Sequence, residues 1–541
     1  MSGRPDGGAP APSAGRVLAQ ASLILTVAAL ASRLLGWVRL LVIGSQFGAS
    51  RELDAYFAAF RIPDAIFQLV VAGALSAALI PVFSSYRARE QEREAWRLAS
   101  SVINLVVIAL AGLSLVMAIF APALVPAVAP GFDAPTTELT IRMTRVMLLS
   151  PVLIGMGAVV SGILNSYERF AVPAMAPLAY NLAIIVAAIV LAPIMGVEGL
   201  AVGVAVGSLL HLVVQLPELG RVGQRYDLTI GLTHPGVRKV AWLMGPRMLG
   251  LAAGQLNFII SIVLASGLPE GSITAYNYAF QLSQIPVGVL GVSVAVALFP
   301  TLSRDAALGR VPEIRRQVAA SLRILIFLAA PLTAIMIVLA QPIASVFFQY
   351  GLFSEQSAEQ TAGALVFFAI GLGGHIVVHL LTRAFYAMQD TRTPVLWAIA
   401  AVAVNVPLMA WLVGPMGIQG LALALSISAV LEVFGLVWAL HRRIESVEER
   451  DVLRSASRSA VAAAAAAMVM LGALTLTRDW APGLLENGLT RLVAVAGLTA
   501  AGGAIYLVVA SALRAPEIAQ LRSLLSRRRN PGPAGPGRPT S

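Results

Sequence analysis

Residues 87–121 read RAREQEREAWRLASSVINLVVIALAGLSLVMAIFA. Four arginines, Arg87, Arg89, Arg93 and Arg97, come first, and an uncharged run from Leu98 to Ala121 follows. A helix that crosses the hydrocarbon core of a bilayer needs about 20 apolar residues, and this run is long enough. Basic residues set directly before such a run mark a cytoplasmic loop under the positive-inside rule. Recurrence of the same alternation along the chain would make it a polytopic membrane protein.

The composition fits that class. The chain has 541 residues, a mean hydropathy of +0.82, 58% hydrophobic residues and only 12% charged ones. Soluble domains carry about 25% charged residues, so a water-soluble globular enzyme is excluded. The absence of cysteine excludes a disulfide scaffold, and the apolar content excludes a disordered chain. The net charge of +11 is carried by arginine, Lys239 being the one lysine. These arginines gather in short loops, so the basic balance reflects topology and no nucleic-acid partner is expected.

Fourteen runs qualify as spans: 18–46, 54–84, 98–121, 139–165, 174–194, 198–216, 239–267, 273–302, 317–340, 360–388, 393–412, 418–440, 457–477 and 488–513. The 6–7 loop holds Arg221, Arg225, Arg238 and Lys239. The 8–9 loop holds Arg304, Arg310, Arg315 and Arg316, and the 12–13 loop Arg442, Arg443, Arg450, Arg454 and Arg458. The 3–4, 5–6, 7–8, 9–10 and 11–12 loops hold no Lys or Arg. This alternation predicts fourteen helices with both termini in the cytoplasm. The Pro/Gly-rich residues 1–16 read as a disordered tail, and the run from Val17 is too long for a cleavable signal peptide. Residues 514–541 read as a basic, Pro/Gly-rich cytoplasmic tail.

A repeat underlies the spans. Ala55, Tyr56, Ala59 and Phe60 match Ala275, Tyr276, Ala279 and Phe280 at an offset of 220. Ala78 to Pro81 match Ala297 to Pro300 at 219, and Tyr167 to Pro173 resemble Met388 to Pro394 at 221. The expected architecture is all-α, with an N-lobe over 17–222 (helices 1–6), a C-lobe over 223–445 (helices 7–12) and helices 13 and 14 over 446–513. Two parallel six-helix lobes of this kind place a substrate cavity between them.

No phosphate loop and no metal-binding motif is present, so ATP hydrolysis and metal-centred catalysis are not expected, and neither is a cofactor. Transport driven by an ion gradient, by Na+ or H+, or by the membrane potential is the default. Charged residues inside spans are costly and therefore informative. They are Arg33 and Arg39 on helix 1, Asp54, Arg61 and Asp64 on helix 2, Arg247 on helix 7, and His375, His379 and Arg383 on helix 10. His211 on helix 6 and Glu432 on helix 12 lie 221 residues apart, at equivalent places in the two repeats. Both suit ion coupling, since each titrates or binds a cation. Each position also has a plainer reading. Arg383 can snorkel to the interface, His211 and Glu432 can be satisfied packing groups, and Asp54 can cap helix 2. Arginine keeps its proton and matches phosphate geometry. Arg33, Arg39 and Arg61 therefore suit an amphiphile with a phosphate headgroup.

Several motifs carry a family resemblance. The stretch Ser32-Arg33-Leu34-Leu35-Gly36-Trp37-Val38-Arg39, then Phe47-Gly48-Ala49, Asp54-Ala55-Tyr56-Phe57, Phe60-Arg61-Ile62-Pro63 and Gly73-Ala74-Leu75-Ser76, resembles the N-terminal signature of the MurJ (MviN) family. Pro286 to Ser303, Phe348-Gln349-Tyr350-Gly351 and Phe385 to Pro394 resemble its later motifs. The resemblance runs from about residue 17 to 445. It implies a MOP-superfamily flippase for lipid II, the undecaprenyl-pyrophosphate-linked peptidoglycan precursor, in the bacterial inner membrane. It also implies a cationic cavity, a lipid-tail groove at the last two helices and cell-wall synthesis proteins as partners. By motif, Arg33, Arg39, Asp54 and Arg61 match charged positions of the family. Leu40, Phe67, Gln68 and Gln281 stand where the family often has charge, and Arg247, with His379 or Arg383, is the expected compensation. A flippase for another polyprenyl-linked saccharide, a drug/cation antiporter of the same superfamily and a non-transporting cell-wall scaffold are the alternatives.

Overall fold

The structure is a computed structural model that describes residues 14–69, 76–223, 225–481, 483–486 and 488–520; side chains at 14–24, 76–77, 245–253 and 486 are outside the description. The described residues are helical, with no strand among them. In order they form α1 (Ala14–Phe47), α2 (Arg51–Phe67), α3 (Ser76–Arg87), α4 (Glu92–Val128), α5 (Ala134–Met147), α6 (Leu149–Ser166), α7 (Ala171–Val190), the short α8 (Ala192–Met195), α9 (Glu198–Val213), α10 (Leu216–Arg221) and α11 (Pro235–Ala265). Next come α12 (Ser272–Pro286), a π-helical segment Val287–Val292, α13 (Ser293–Ala307), α14 (Val311–Val338), α15 (Ala340–Phe348), α16 (Glu355–Ile370) and α17 (Leu372–Ala387). The series ends with α18 (Arg392–Met416), α19 (Ile418–Ile444), α20 (Glu449–Trp480), α21 (Gly483–Glu486) and α22 (Gly488–Ala512).

Among the described residues, eleven helical segments are long and apolar enough to span a bilayer, and α16 with α17, bent by 47°, makes a twelfth. The remaining two expected spans, 54–84 and 239–267, contain residues outside the description. Large apolar side chains point outward on several helices: Leu115, Ile119 and Phe120 on α4, Trp411 on α18 and Val508 on α22. In water these would be a liability; against lipid tails they cost nothing. The chain is an all-helical polytopic membrane protein.

Two compact units divide it: 1–274 with 350–354, and 275–349 with 355–541. The first unit extends past residue 222, the repeat-based limit, because α11 packs on α2, α3 and α4. Its helix starts are capped by side chains. Ser50 accepts from the Leu53 N–H, Asp133 from Thr136 and His234 from Gly236, satisfying donors left open at a helix N-terminus. The loop 350–354 docks on the end of α1, where the Leu352 N–H donates to the Ser45 carbonyl at 2.8 Å. Gly351 sits there at φ +58, and a Cβ would overlap that carbonyl, so only glycine fits.

In the second unit α20 packs between α14 and α22. The run Ala462 to Ala467 lets α20 approach α14 closely, and the buried Tyr506 hydroxyl of α22 donates to the Phe327 carbonyl of α14 at 2.7 Å. The last two long helices are thus fastened to the second unit through α14.

Candidate functional site

Helix α2 positions the first cluster. Asp54 and Arg61 are seven residues apart and share a face, since two turns of α-helix take about 7.2 residues. Asp54 is 1% exposed. Its Oδ2 accepts from the Gly271 N–H at 2.8 Å, and its Oδ1 accepts from both the N–H and the hydroxyl of Thr274 at 2.8 Å. Three donors saturate this carboxyl, and two of them are the open N–H groups at the start of α12. The Arg51 N–H donates to Glu270 at 3.0 Å on the same seam.

Arg61 turns to Asp64, with Nη1 to Oδ2 at 3.1 Å and both side chains largely buried. Its guanidinium lies over the Phe258 ring, 4.8 Å from the centroid. Gln68 donates to Asp64 Oδ1 at 3.4 Å. Arg39 of α1 is near enough to Asp64, Tyr56 and Tyr180 to act on them electrostatically. Arg33 is exposed. Six residues separate it from Arg39, which turns the two about 120° apart around the helix. The structure therefore gathers Arg39 and Arg61 around Asp64 and leaves Arg33 on another face of α1. Two arginines against one carboxylate leave one positive charge, which suits an anion. Asp64, Gln68 and Phe258 were not assigned to the site from sequence; the i, i+3 spacing of Arg61 and Asp64 was the available signal. Arg247 lies in α11, and its side chain is outside the described residues.

In the second unit, His375, His379 and Arg383 line one face of α17. That face lies against the π-helical segment and α13: Arg383 is over the Phe299 ring at 5.4 Å, and a Cβ at Gly291 would lie 3.2 Å from His379 Cδ2. Gln281, on α12, is exposed. An apolar cavity of about 410 Å³ opens between α14 and α20, lined by Ile326, Ala330, Ile337, Ala460 and Ala464 among others. Next to it on the same helices, Arg323, Arg454 and Arg458 line a smaller cavity of about 120 Å³ with Asp451 and Glu517. An apolar groove beside a basic cluster fits an amphiphile with a long tail and an anionic head.

His211 and Glu432 have different surroundings. His211 lies against Gly157 of α6, while Glu432 faces a cavity between α18 and α19.

Comparison with known proteins places this geometry. The family model for lipid II flippase MurJ matches residues 43–490. The lipid II flippase MurJ of Burkholderia cenocepacia is 34% identical over 430 residues, 78% of this chain and 83% of that one. The probable lipid II flippase MurJ of Rhizobium tropici is 30% identical over 520 residues, 94% of this chain and 96% of that one. A solved lipid II flippase MurJ in an inward closed conformation has a TM-score of 0.75 at 24% identity, covering 90% of this chain and 98% of that one. An inward-facing multidrug transporter of the MATE family shares the fold at a TM-score of 0.64 and 17% identity, over 76% of this chain and 95% of that one. With the family model spanning most of its length, the chain belongs to the lipid II flippase MurJ family.

Proposed function

We propose that the chain is a lipid II flippase, a transporter and not an enzyme, which moves the undecaprenyl-pyrophosphate-linked peptidoglycan precursor from the cytoplasmic to the outer leaflet of the bacterial inner membrane. Family membership over residues 43–490 carries this reading. The transport cycle is alternating access, as in other parallel-repeat carriers. The span count is fourteen, adding 54–84 and 239–267 to the twelve, with both termini cytoplasmic. Cell-wall synthesis proteins are the expected partners.

Arg39 and Arg61 would hold the pyrophosphate through charge-assisted hydrogen bonds, while Arg33, on another face of α1, stands apart from that pair. The Arg61–Asp64 pair supports this: in the absence of cargo Asp64 holds the guanidinium, and a pyrophosphate with more charge and more acceptors displaces it. Arg247, Arg383 and Gln281 are the further substrate contacts proposed; Asp54, whose carboxyl is taken by Gly271 and Thr274, is not among them. The groove between α14 and α20 suits the polyprenyl tail. Resetting would draw on Na+, H+ or the membrane potential, with His211 and Glu432 as the groups proposed to couple an ion.

The test is complementation. The chain is expressed in a bacterium whose own lipid II flippase is being depleted, and survival and outer-leaflet lipid II are scored. Rescue is expected, with loss of rescue for Arg39→Ala and Arg61→Ala. Absence of rescue by a chain verified in the membrane would overturn the reading. One observation favours a second reading, a flippase for another polyprenyl-linked saccharide: Phe67, Gln68 and Gln281 are uncharged where the family often carries arginine.

A further inference from the structure

Helices α18 and α19 pack along their length but part around Glu432. The gap is a cavity of about 580 Å³ lined by Trp397, Val404, Leu431, Phe434 and Trp438, and Glu432 is the ionisable group among its lining residues. Trp397 and Trp438 meet edge to face, with centroids 6.3 Å apart and planes at 79°. Gly435 shapes this wall. A Cβ there would overlap the Trp397 ring, so the indole rests on the α19 backbone only because residue 435 has no side chain. Phe434 and Trp438 are exposed, so the cavity opens toward the bilayer.

Indole faces attract a cation within about 6 Å of the ring centroid. Trp438 already does this once: the Arg442 guanidinium carbon lies 3.9 Å from its centroid. A carboxyl set among such rings adds a negative partner where little water competes. Depth narrows the ligand further. α19 runs from Ile418 to Ile444, which puts Glu432 about 21 Å from one end and about 18 Å from the other. Headgroup ammonium groups stay at the interface, outside a hydrocarbon core about 30 Å thick. A cation that reaches Glu432 must carry its charge spread over apolar substituents.

We infer that this groove is a binding site for lipophilic organic cations with delocalised charge, which enter from the bilayer and sit between the Glu432 carboxylate and the faces of Trp397 and Trp438. The place equivalent by the sequence repeat lacks these residues. At the repeat offset of 221, Trp397, Gly435 and Trp438 correspond to Ala176, Val214 and Pro217, which cannot build it. The inference is independent of the flippase reading, because its readout is binding and not lipid movement.

The experiment is equilibrium binding of tetraphenylphosphonium to the full chain in lipid nanodiscs, with neutral triphenylphosphine oxide as the control. Saturable binding of one cation per chain is expected, and weaker binding of the neutral compound. Glu432→Gln should weaken cation binding about tenfold or more and leave the neutral compound unchanged, and Glu432→Asp should restore part of the loss. Trp397→Leu is the second variant and should weaken the cation by several fold. Circular dichroism and size-exclusion chromatography establish that each variant is folded. Wild-type affinity in both folded variants, or equal affinity for the neutral compound, would overturn the inference.

Discussion

His211 and Glu432 occupy the same place in two copies of one helical unit, yet one is shut in and the other opens on a cavity. At His211 the seam between α6 and α9 is closed. A Cβ at Gly157 would lie 2.6 Å from His211 Nδ1. Ser161 donates to Gln215 at 2.7 Å, and Gln215 donates back to the His211 carbonyl at 2.8 Å. At Glu432 the indoles of Trp397 and Trp438, with Gly435, border a cavity of about 580 Å³. The neighbours of each polar position decided whether it was packed or available.

Other equivalent pairs extend the comparison. Asp54 and Thr274, at offset 220, meet each other: the carboxyl of one accepts the N–H and hydroxyl of the other. Arg169 and Asp390, at offset 221, stand in matching loops with opposite charge. Arg169 approaches Glu218 at 3.5 Å, and Asp390 pairs with Arg443 at 2.8 Å. The loop is tied down in both copies, with the polarity of the tie reversed.

The largest expected effect tests the Asp54–Thr274 junction. Asp54→Ala strands three buried donors and should cost roughly 2–4 kcal/mol in unfolding of the detergent-solubilised chain. A loss below about 0.5 kcal/mol would mean that the carboxyl serves the cargo and not the junction. The next pair separates the closed seam from the open one. Gly157→Ala presses a methyl onto the His211 imidazole and should cost about 1–3 kcal/mol. Gly435→Ala displaces an indole that has a cavity to move into and should cost less than about 1 kcal/mol. Equal costs would break the distinction.

The reversed loop ties should give the smallest effects. Asp390→Asn removes an ion pair with the exposed Arg443, and Arg169→Gln removes one with the buried Glu218, which keeps Arg221 at 2.9 Å; each should cost below about 1 kcal/mol. The Asp390 tie also has a pH signature. Burial pushes its carboxyl up, but this is outweighed by the N–H and hydroxyl of Thr393, the Arg443 guanidinium and the Arg392 N–H, which hold it below its ordinary value. Its contribution is therefore complete above the unfolded value of about 3.9 and is lost as pH falls through the lower folded value. Thermal stability in acid should fall less for Asp390→Asn than for wild type, and identical acid profiles would refute the assignment.

The spans were legible because a bilayer demands long apolar runs, and Leu98 to Ala121 announces one without any neighbour. The i, i+3 pairing of Arg61 with Asp64 was legible in principle, because helical spacing is local. Arg33 and Arg39 were grouped from sequence as one site; the turn of about 120° between them shows that equal charge is not equal direction. Asp54 looked like a cap for its own helix. Its donors are Gly271 and Thr274, some 220 residues away, and no local pattern could have named them.

Sequence by itself determined that the chain is a polytopic helical membrane protein, and its motifs determined the family. Both are written in one dimension: apolar length, loop charge and the order of short motifs. Tertiary structure decided which charges meet. It set Asp64 between two arginines, closed the space at His211 and opened it at Glu432. Those outcomes depend on how closely two helices approach, and residues far apart in the chain, such as Trp397 and Gly435, fix that distance.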